Sequence, residues 1–447
     1  MSRPTGRPAH LDGRRRTWGG PGARRMRRTV RRRPAGAKAP PDGDGAGGRH
    51  PRGAPPAPVR RARESIGTVL SPGLESILAR LRPTPFLALD PQVVRERHAA
   101  LAAAFGDARI LYAVKACPEP AVLRVLADAG AGFDVASQNE IALCLAAGAD
   151  PASLQHGNPV RGPGAAARAA ADGVRRFVTD SAEDVDALAA EVPGARVQVR
   201  LSVDDAGSAT PFHGKFGALP GEAVALLRRA ARLGLEPAGV TFHAGSQQTR
   251  PATYAEAVAV ALRTAGRAGL RRPELDLGGG WPVTYRADVP GPGEYAAAVR
   301  AAVAGAMAAG HVDGADLLLE PGRAIAGPAG VLRATVLRVS RRPGIDHRRW
   351  VYLDVGRYQG LAETEGEAIG YPLRVPGRSG PDGPCVLAGP TYDGDDVIYR
   401  RTPVALPGDL AAGDVVDLLH AGAYTSSYAS VGFNGFGPLD VVVAGTA

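Results

Sequence analysis

The sequence predicts an α/β chain, a (β/α)8 barrel followed by a C-terminal all-β domain. Three observations lead there. Between residues 110 and 319, eight short apolar runs alternate with Ala/Leu/Arg-rich stretches of helical character, the pattern of a parallel sheet with the strand count of a closed barrel. No G-x-G-x-x-G follows the first run, which argues against an open doubly wound sheet. After about residue 328 the helical stretches stop, and short apolar runs between Gly/Pro turns take over.

Residues 1–64 hold 17 Arg and one Lys against three Asp and one Glu, with 10 Pro and 11 Gly. With so few aliphatics the segment cannot bury a core, and a disordered tail is expected. It reads either as an arginine-rich arm for acidic partners or as an over-extended start. Nucleic-acid binding would rest on this tail alone and is not expected. The rest of the chain keeps 36 basic and 40 acidic residues, so the net charge of +10 belongs to the tail. Residues 65–89 predict a helix over Ser71–Arg82, a Pro83-Thr84-Pro85 break and a strand over Phe86–Leu89 that joins the β-domain.

The barrel is expected over residues 90–328. A helix over Val93–Phe105 precedes strands at Ile110–Ala116, Gly132–Ala136, Ser153–Gly157, Arg176–Thr179, Arg196–Val203, Ala238–His243, Glu274–Leu277 and Asp316–Leu319. Helices are expected between most of them, for example over Glu119–Gly130, Gln138–Gly148, Ser181–Glu191 and Glu222–Leu233. The β-domain, residues 329–447, offers strands at Val331–Val339, Trp350–Val355, Val386–Ala388, Asp396–Tyr399, Asp414–Leu419 and Val441–Val443. Three cysteines, Cys117, Cys144 and Cys385, make neither a disulfide scaffold nor a CxxC metal site. No apolar run approaches the roughly 20 residues of a membrane span, and no signal-peptide core follows Met1. A cytoplasmic protein without membrane partner or metal is expected.

Barrel chemistry sits at the C-terminal ends of the strands. Those ends carry Lys115, Asp134, Asn158, Arg200, His243, Gly278-Gly279-Gly280 and Glu320 to Arg323. The chain has three lysines, Lys38, Lys115 and Lys215, and otherwise uses Arg, which cannot serve as an amine nucleophile. Lys115 follows the apolar Ile110–Val114. Desolvation there would lower its pKa and favour the free amine that a Schiff base needs, although a lone Lys is more often an ordinary surface charge. The glycine triplet offers bare N–H groups to an anion such as phosphate, or is simply a turn. Glu320 follows Leu317-Leu318-Leu319, and a buried carboxylate needs a cationic partner, which a protonated pyridine nitrogen would supply. Arg323 could hold a phosphate or pair with Glu320.

These residues resemble those of the fold-type III pyridoxal-phosphate decarboxylases, alanine racemase-like barrel enzymes acting on ornithine, lysine, arginine and diaminopimelate. The matching stretches are Tyr112-Ala113-Val114-Lys115, Gly132 to Ser137, Phe242 to Gln247, Leu275 to Gly280 and Glu320-Pro321-Gly322-Arg323. In the second domain they are Gly389-Pro390-Thr391, Ala421 to Tyr424 and Phe433 to Phe436. The resemblance covers about residues 80–445 and is nearest the bacterial ornithine/lysine branch.

It implies pyridoxal 5′-phosphate as cofactor, Lys115 as its Schiff-base partner and His243 stacked on its ring. Ser246, Gly279, Gly280, Arg323 and Tyr424 would hold the phosphate, and Glu320 the pyridine nitrogen. Asp134 and Arg200 would line the pocket. It also implies a homodimer with shared active sites, in which the Gly389–Asp396 loop is donated in trans and Asp393 binds the distal amine of a basic substrate. Lys215 would pair with Asp396 of a second copy. Tyr358 and Glu367, in the region that sets side-chain specificity, are further expected substrate contacts. That region also carries Glu363 and Glu365, and which of the three acids points inward is not legible.

One departure matters. The family has Cys after Gly-Pro-Thr, as the proton donor to the substrate carbon, and this chain has Tyr392. Tyr, with an unperturbed pKa of about 10, is a weaker acid than Cys. The implied reaction is decarboxylation of ornithine or lysine to the diamine and carbon dioxide. The departure leaves open a racemase, a decarboxylative transaminase, or a regulatory homologue without turnover.

Overall fold

A computed structural model describes residues 69–212, 214–344 and 346–445; the arginine-rich tail lies outside them. The described chain opens with helix α1 (Pro72–Leu78) and strand β1 (Phe86–Leu89). The barrel follows as α2 (Pro91–Phe105), β2 (Arg109–Ala113), α3 (Pro120–Asp128), β3 (Gly132–Val135), α4 (Gln138–Ala146), β4 (Leu154–His156), α5 (Ala165–Ala171), β5 (Arg176–Thr179), α6 (Ala182–Glu191), β6 (Arg196–Leu201), α7 (Pro220–Arg232), β7 (Glu236–Phe242), α8 (Pro251–Ala268), β8 (Glu274–Asp276), α9 (Pro292–Ala308) and β9 (Asp316–Leu319). Strands β2 to β9 pair in parallel in sequence order, and β9 closes on β2. The chain is therefore a closed eight-stranded barrel with a separate mixed sheet.

Local chemistry explains the alternation. Proline stands in the first turn of α2, α3, α7, α8 and α9, where its missing N–H has no intrahelical partner to lose. Ser137 and Ser181 cap α4 and α6 by accepting from the N–H of Glu140 and Asp184. Helix α7 buries Ala223, Val224, Leu226, Leu227 and Ala230 on one stripe and leaves its arginines outward. Helix α8 stops at Gly269, whose φ of 101° suits a residue without Cβ.

A short helix α10 (Arg323–Ala326) leads into the second sheet: β10 (Gly330–Arg342), β11 (Asp346–Leu353), β12 (Leu373–Arg374), β13 (Asp382–Ala388), β14 (Val397–Pro407), β15 (Val415–Leu419) and β16 (Asp440–Val443). Its path runs β12-β15-β10-β11-β13-β14. Strand β1 lies antiparallel to β10 and parallel to β16, so a strand from before the barrel completes a sheet made after it. The two-residue β12 and the 3₁₀ turns at Ala362–Glu367 have no counterpart in the sequence expectation. Among the described residues no helix is long and apolar enough to cross a membrane.

Candidate active site

The barrel's C-terminal mouth gathers the expected cluster, with one change of geometry. Strand β2 ends at Ala113, because the N–H of Ala113 turns to Pro321 O. Lys115 therefore sits on a single 3₁₀ turn, Val114–Ala116, rather than on the strand. Pairing of β2 with β3 sets Asp134 opposite Ala113, and Lys115 Nζ lies 3.4 Å from Asp134 Oδ2. This reverses the expected titration. Burial pulls the ammonium pKa down, but the charges of Asp134, then Tyr424 and Glu320, outweigh it, and the net displacement is upward. Beside these groups Lys115 is an ammonium.

His243 follows β7. Its Nδ1 accepts the N–H of Gly245 at 3.1 Å, which leaves the proton on Nε2. Burial, then the cations Arg200 and Lys115, hold its pKa well below the usual imidazole range, so the ring is neutral. The ring stacks on Phe212 at 4.5 Å between centroids. Arg200, on β6, lies over the Phe216 ring at 5.0 Å.

Glu320 follows β9 and meets two groups that the strand-end reading overlooked. Gln155 Nε2 donates to Glu320 Oε1 at 2.9 Å and to Asp276 Oδ2 at 2.7 Å. Burial, then the charges of Asp134 and Asp276, raise the Glu320 carboxyl well above its ordinary value. Asp276, fully buried on β8, is also raised, chiefly by burial. The pair therefore holds a proton. Gln155 and Asp276 are polar residues within the apolar runs Ser153–Gly157 and Glu274–Leu277, a placement that needs a partner.

The glycine triplet, Ser246 and Arg323 form a cradle. At Gly280, φ is 98° and a Cβ would lie 2.2 Å from Gly245 O; on Gly279 it would sit 3.1 Å from His243 Nε2. At Gly280 only a bare backbone fits, and at Gly279 a side chain would crowd the histidine ring. Ser246 is pinned through its own N–H to Thr210 O at 2.9 Å. Arg323 NH2 donates to Ser246 Oγ at 3.2 Å, and the guanidinium lies over the Tyr424 ring at 4.9 Å. Tyr424 reaches the barrel from the β-domain, its N–H bonded to Ala116 O at 2.8 Å. The ion-pair partner of Arg323 is Glu363, not Glu320. Backbone N–H groups, a hydroxyl and an arginine suit a phosphate, and an amine at the same mouth suits an aldehyde. These donors fit pyridoxal phosphate.

The expected substrate residues lie elsewhere in the single chain. Tyr392 is fully exposed, and its N–H donates to Asn434 Oδ1 at 2.7 Å. Asp393 is exposed and caps Asp395 N at 2.8 Å. Tyr358 meets Phe433 in a tilted ring contact, 4.7 Å between centroids. Glu367 does not face the mouth: its oxygens accept the N–H groups of Arg400, Arg401 and Thr402 on β14. The acid that points inward is Glu363. Asp396 is buried and satisfied locally by Arg357 N, Thr391 N and Thr391 Oγ1, whereas Lys215 lies over Phe216 at 4.8 Å.

Comparison with known proteins agrees with this chemistry. The family model for the pyridoxal binding domain of pyridoxal-dependent decarboxylases matches residues 92–327. A lysine/ornithine decarboxylase of Selenomonas ruminantium is 36% identical over 362 residues, covering 80% of this chain and 89% of its own. A diaminopimelate decarboxylase of Actinosynnema pretiosum subsp. auranticum is 34% identical over 379 residues, covering 80% and 83%. The crystal structure of a Vibrio vulnificus lysine/ornithine decarboxylase complexed with cadaverine aligns with a TM-score of 0.73 at 31% identity, covering 84% of this chain and 100% of that one.

Proposed function

The chain belongs to the pyridoxal-dependent decarboxylases, and from that premise we propose that it converts a basic L-amino acid, ornithine or lysine, to the diamine and carbon dioxide. It is a pyridoxal-phosphate enzyme of the decarboxylase class. The observation that carries the reading is Lys115 beside Asp134 at the same mouth as the Ser246, Gly279, Gly280 and Arg323 cradle. The naming of the Selenomonas relative supports the basic substrate.

Pyridoxal phosphate, when bound, supplies the electron sink for the bond broken at the substrate's α-carbon. The residues do the rest. Asp134 holds the Lys115 ammonium and is the nearest acceptor for the proton that Lys115 sheds before its amine can bond. Neutral His243 presents a flat, uncharged face to an aromatic ring. Glu320, with Asp276 and Gln155, holds a proton where a pyridine nitrogen would be met. Arg323, Ser246 and the N–H groups of Gly279 and Gly280 fix the phosphate, with Tyr424 beside them.

Tyr392 would return a proton to the substrate carbon from a second copy of the chain. Its full exposure, beside the exposed Tyr428, Val431 and Phe433, supports such a shared-site dimer. Asp393 would then meet the distal amine.

Product analysis tests the reading. Holoenzyme is incubated separately with L-ornithine, L-lysine, L-arginine and diaminopimelate, and carbon dioxide, amine, aldehyde and enantiomeric excess are followed. Carbon dioxide with equimolar diamine is expected from ornithine or lysine; release from none but diaminopimelate would replace the substrate, and falling enantiomeric excess without carbon dioxide would replace the reaction. Tyr392 favours one second reading, decarboxylation with transamination, in which aldehyde accompanies carbon dioxide. Replacing Tyr392 with Cys is expected to raise the diamine-to-aldehyde ratio by about tenfold or more, as a better-matched acid does. An unchanged ratio would take Tyr392 out of the protonation step.

A further inference from the structure

The cradle carries a feature that phosphate binding alone does not call for: a carboxylate already seated on its guanidinium. Arg323 is 4% exposed. Its NH1 donates to Glu363 Oε2 at 2.6 Å and its NH2 to Glu363 Oε1 at 2.5 Å, while NH2 also reaches Ser246 Oγ and NH1 the Tyr285 hydroxyl at 3.3 Å. Glu363 belongs to the β-domain, on the 3₁₀ turn Ala362–Glu367, and its side chain is 16% exposed. Both terminal nitrogens of Arg323 are engaged within the chain, and Glu363 balances its charge.

We infer that Glu363 is a positioning residue that sets cofactor affinity: it aims the Arg323 fork at Ser246 and competes with the cofactor phosphate for it. This rests on reading Arg323 and Ser246 as phosphate ligands. A bidentate arginine–carboxylate pair fixes the plane of the guanidinium, which explains the aim. A second anion brought to the same buried cation meets the first at close range, and like charges at low dielectric repel strongly. The phosphate is therefore held less tightly than the cradle's donors would allow. Because Glu363 comes from the second domain, the seating of that domain on the barrel bears on cofactor retention.

The test compares pyridoxal phosphate with pyridoxal, which lacks the phosphate, on apo-protein by intrinsic-fluorescence titration. The readout is the ratio of the two dissociation constants, which a general loosening of the fold would not shift towards the phosphorylated form. Glu363→Gln keeps the shape and removes the charge, and should tighten pyridoxal phosphate by about tenfold while pyridoxal stays within about twofold. Glu363→Asp keeps the charge and should leave the ratio near wild type. Should Glu363→Gln fail to fold, Glu363→Ser is titrated in its place with the same expectation. An unchanged or weakened ratio in Glu363→Gln, or a tightened one in Glu363→Asp, overturns the inference. Arg323→Gln separates it from its premise: that change should collapse the preference for the phosphorylated form. A preserved preference would overturn the phosphate-site reading itself.

Discussion

Lys115→Ala is expected to abolish the visible absorbance of lysine-bound pyridoxal phosphate and to lower kcat on the order of 10²- to 10⁴-fold or more. Arg cannot stand in for the missing amine, because it keeps its proton at any working pH. Of the other two lysines in the sequence, Lys215 has its ammonium over the Phe216 ring and Lys38 lies outside the described residues. The phosphate cradle is untouched by the change, so the variant should still take up the cofactor non-covalently and give the absorbance of a free aldehyde. Absorbance unchanged from wild type would remove Lys115 as the attachment point.

The second large effect is on stability and comes from the opposite end of the barrel. Glu274 opens β8 with a side chain 6% exposed, among Arg109, Arg176 and Arg196, each the first residue of its own strand. Oε1 accepts from Arg109 NH2 at 2.6 Å and Arg196 NH2 at 3.1 Å, and Oε2 accepts from Gln198 Nε2 at 2.9 Å. Burial alone would raise its carboxyl. The hydrogen bonds from Arg109 and Gln198 and the guanidinium charges overcome that and lower it from 4.5 to about 2.

A folded-state pKa below the unfolded one stabilises the fold above the unfolded value. Glu274 therefore contributes about 3 kcal/mol at neutral pH, lost as pH falls from about 4.5 through about 2. Glu274→Gln should cost about 3 kcal/mol or somewhat more at pH 7, because three arginines are left to repel one another. Denaturant unfolding of both proteins checks the sign: the gap should be full at pH 7 and shrink below pH 4.5. A gap that stays constant down to pH 2.5 would mean that the carboxylate's charge is not what stabilises the barrel floor.

The barrel was legible because its strands and helices alternate with clean punctuation, and proline or serine marks nearly every helix start. What escaped depended on register and on backbone torsion. The apolar run Ile110–Val114 suggested a desolvated, neutral Lys115, but the sign of its pKa is set by Asp134, brought opposite Ala113 by strand pairing. Three acids spaced two apart, Glu363, Glu365 and Glu367, cannot be sorted by pattern. A kink sorts them: Gly366 and Glu367 both take φ near +60°, which turns Glu367 to the N–H groups of β14 while Glu363 faces Arg323. Gln155 lies inside its strand and Asp276 closes a strand one residue shorter than the apolar run suggests, so a reading of the residues after the runs misses both, and Gln155 bridges Asp276 to Glu320.

Strand β1 is synthesised before the barrel, yet it pairs with β10, on the order of 240 residues later, and with β16 near the end of the described chain. The barrel is thus a long excursion whose two ends are tied by one ladder, and the entropy of that closure falls on the sheet rather than on the barrel. Barrel strands can zip neighbour to neighbour as they appear. The sheet must wait for its last strand, and so must Tyr424 and Glu363, which it delivers to the mouth. The finished mouth is therefore among the last parts of the molecule to be assembled, and a chain interrupted late would carry the lysine and the Arg323–Ser246 pair without the Tyr424 ring and, if cut early enough, without the Glu363 carboxylate that flank them.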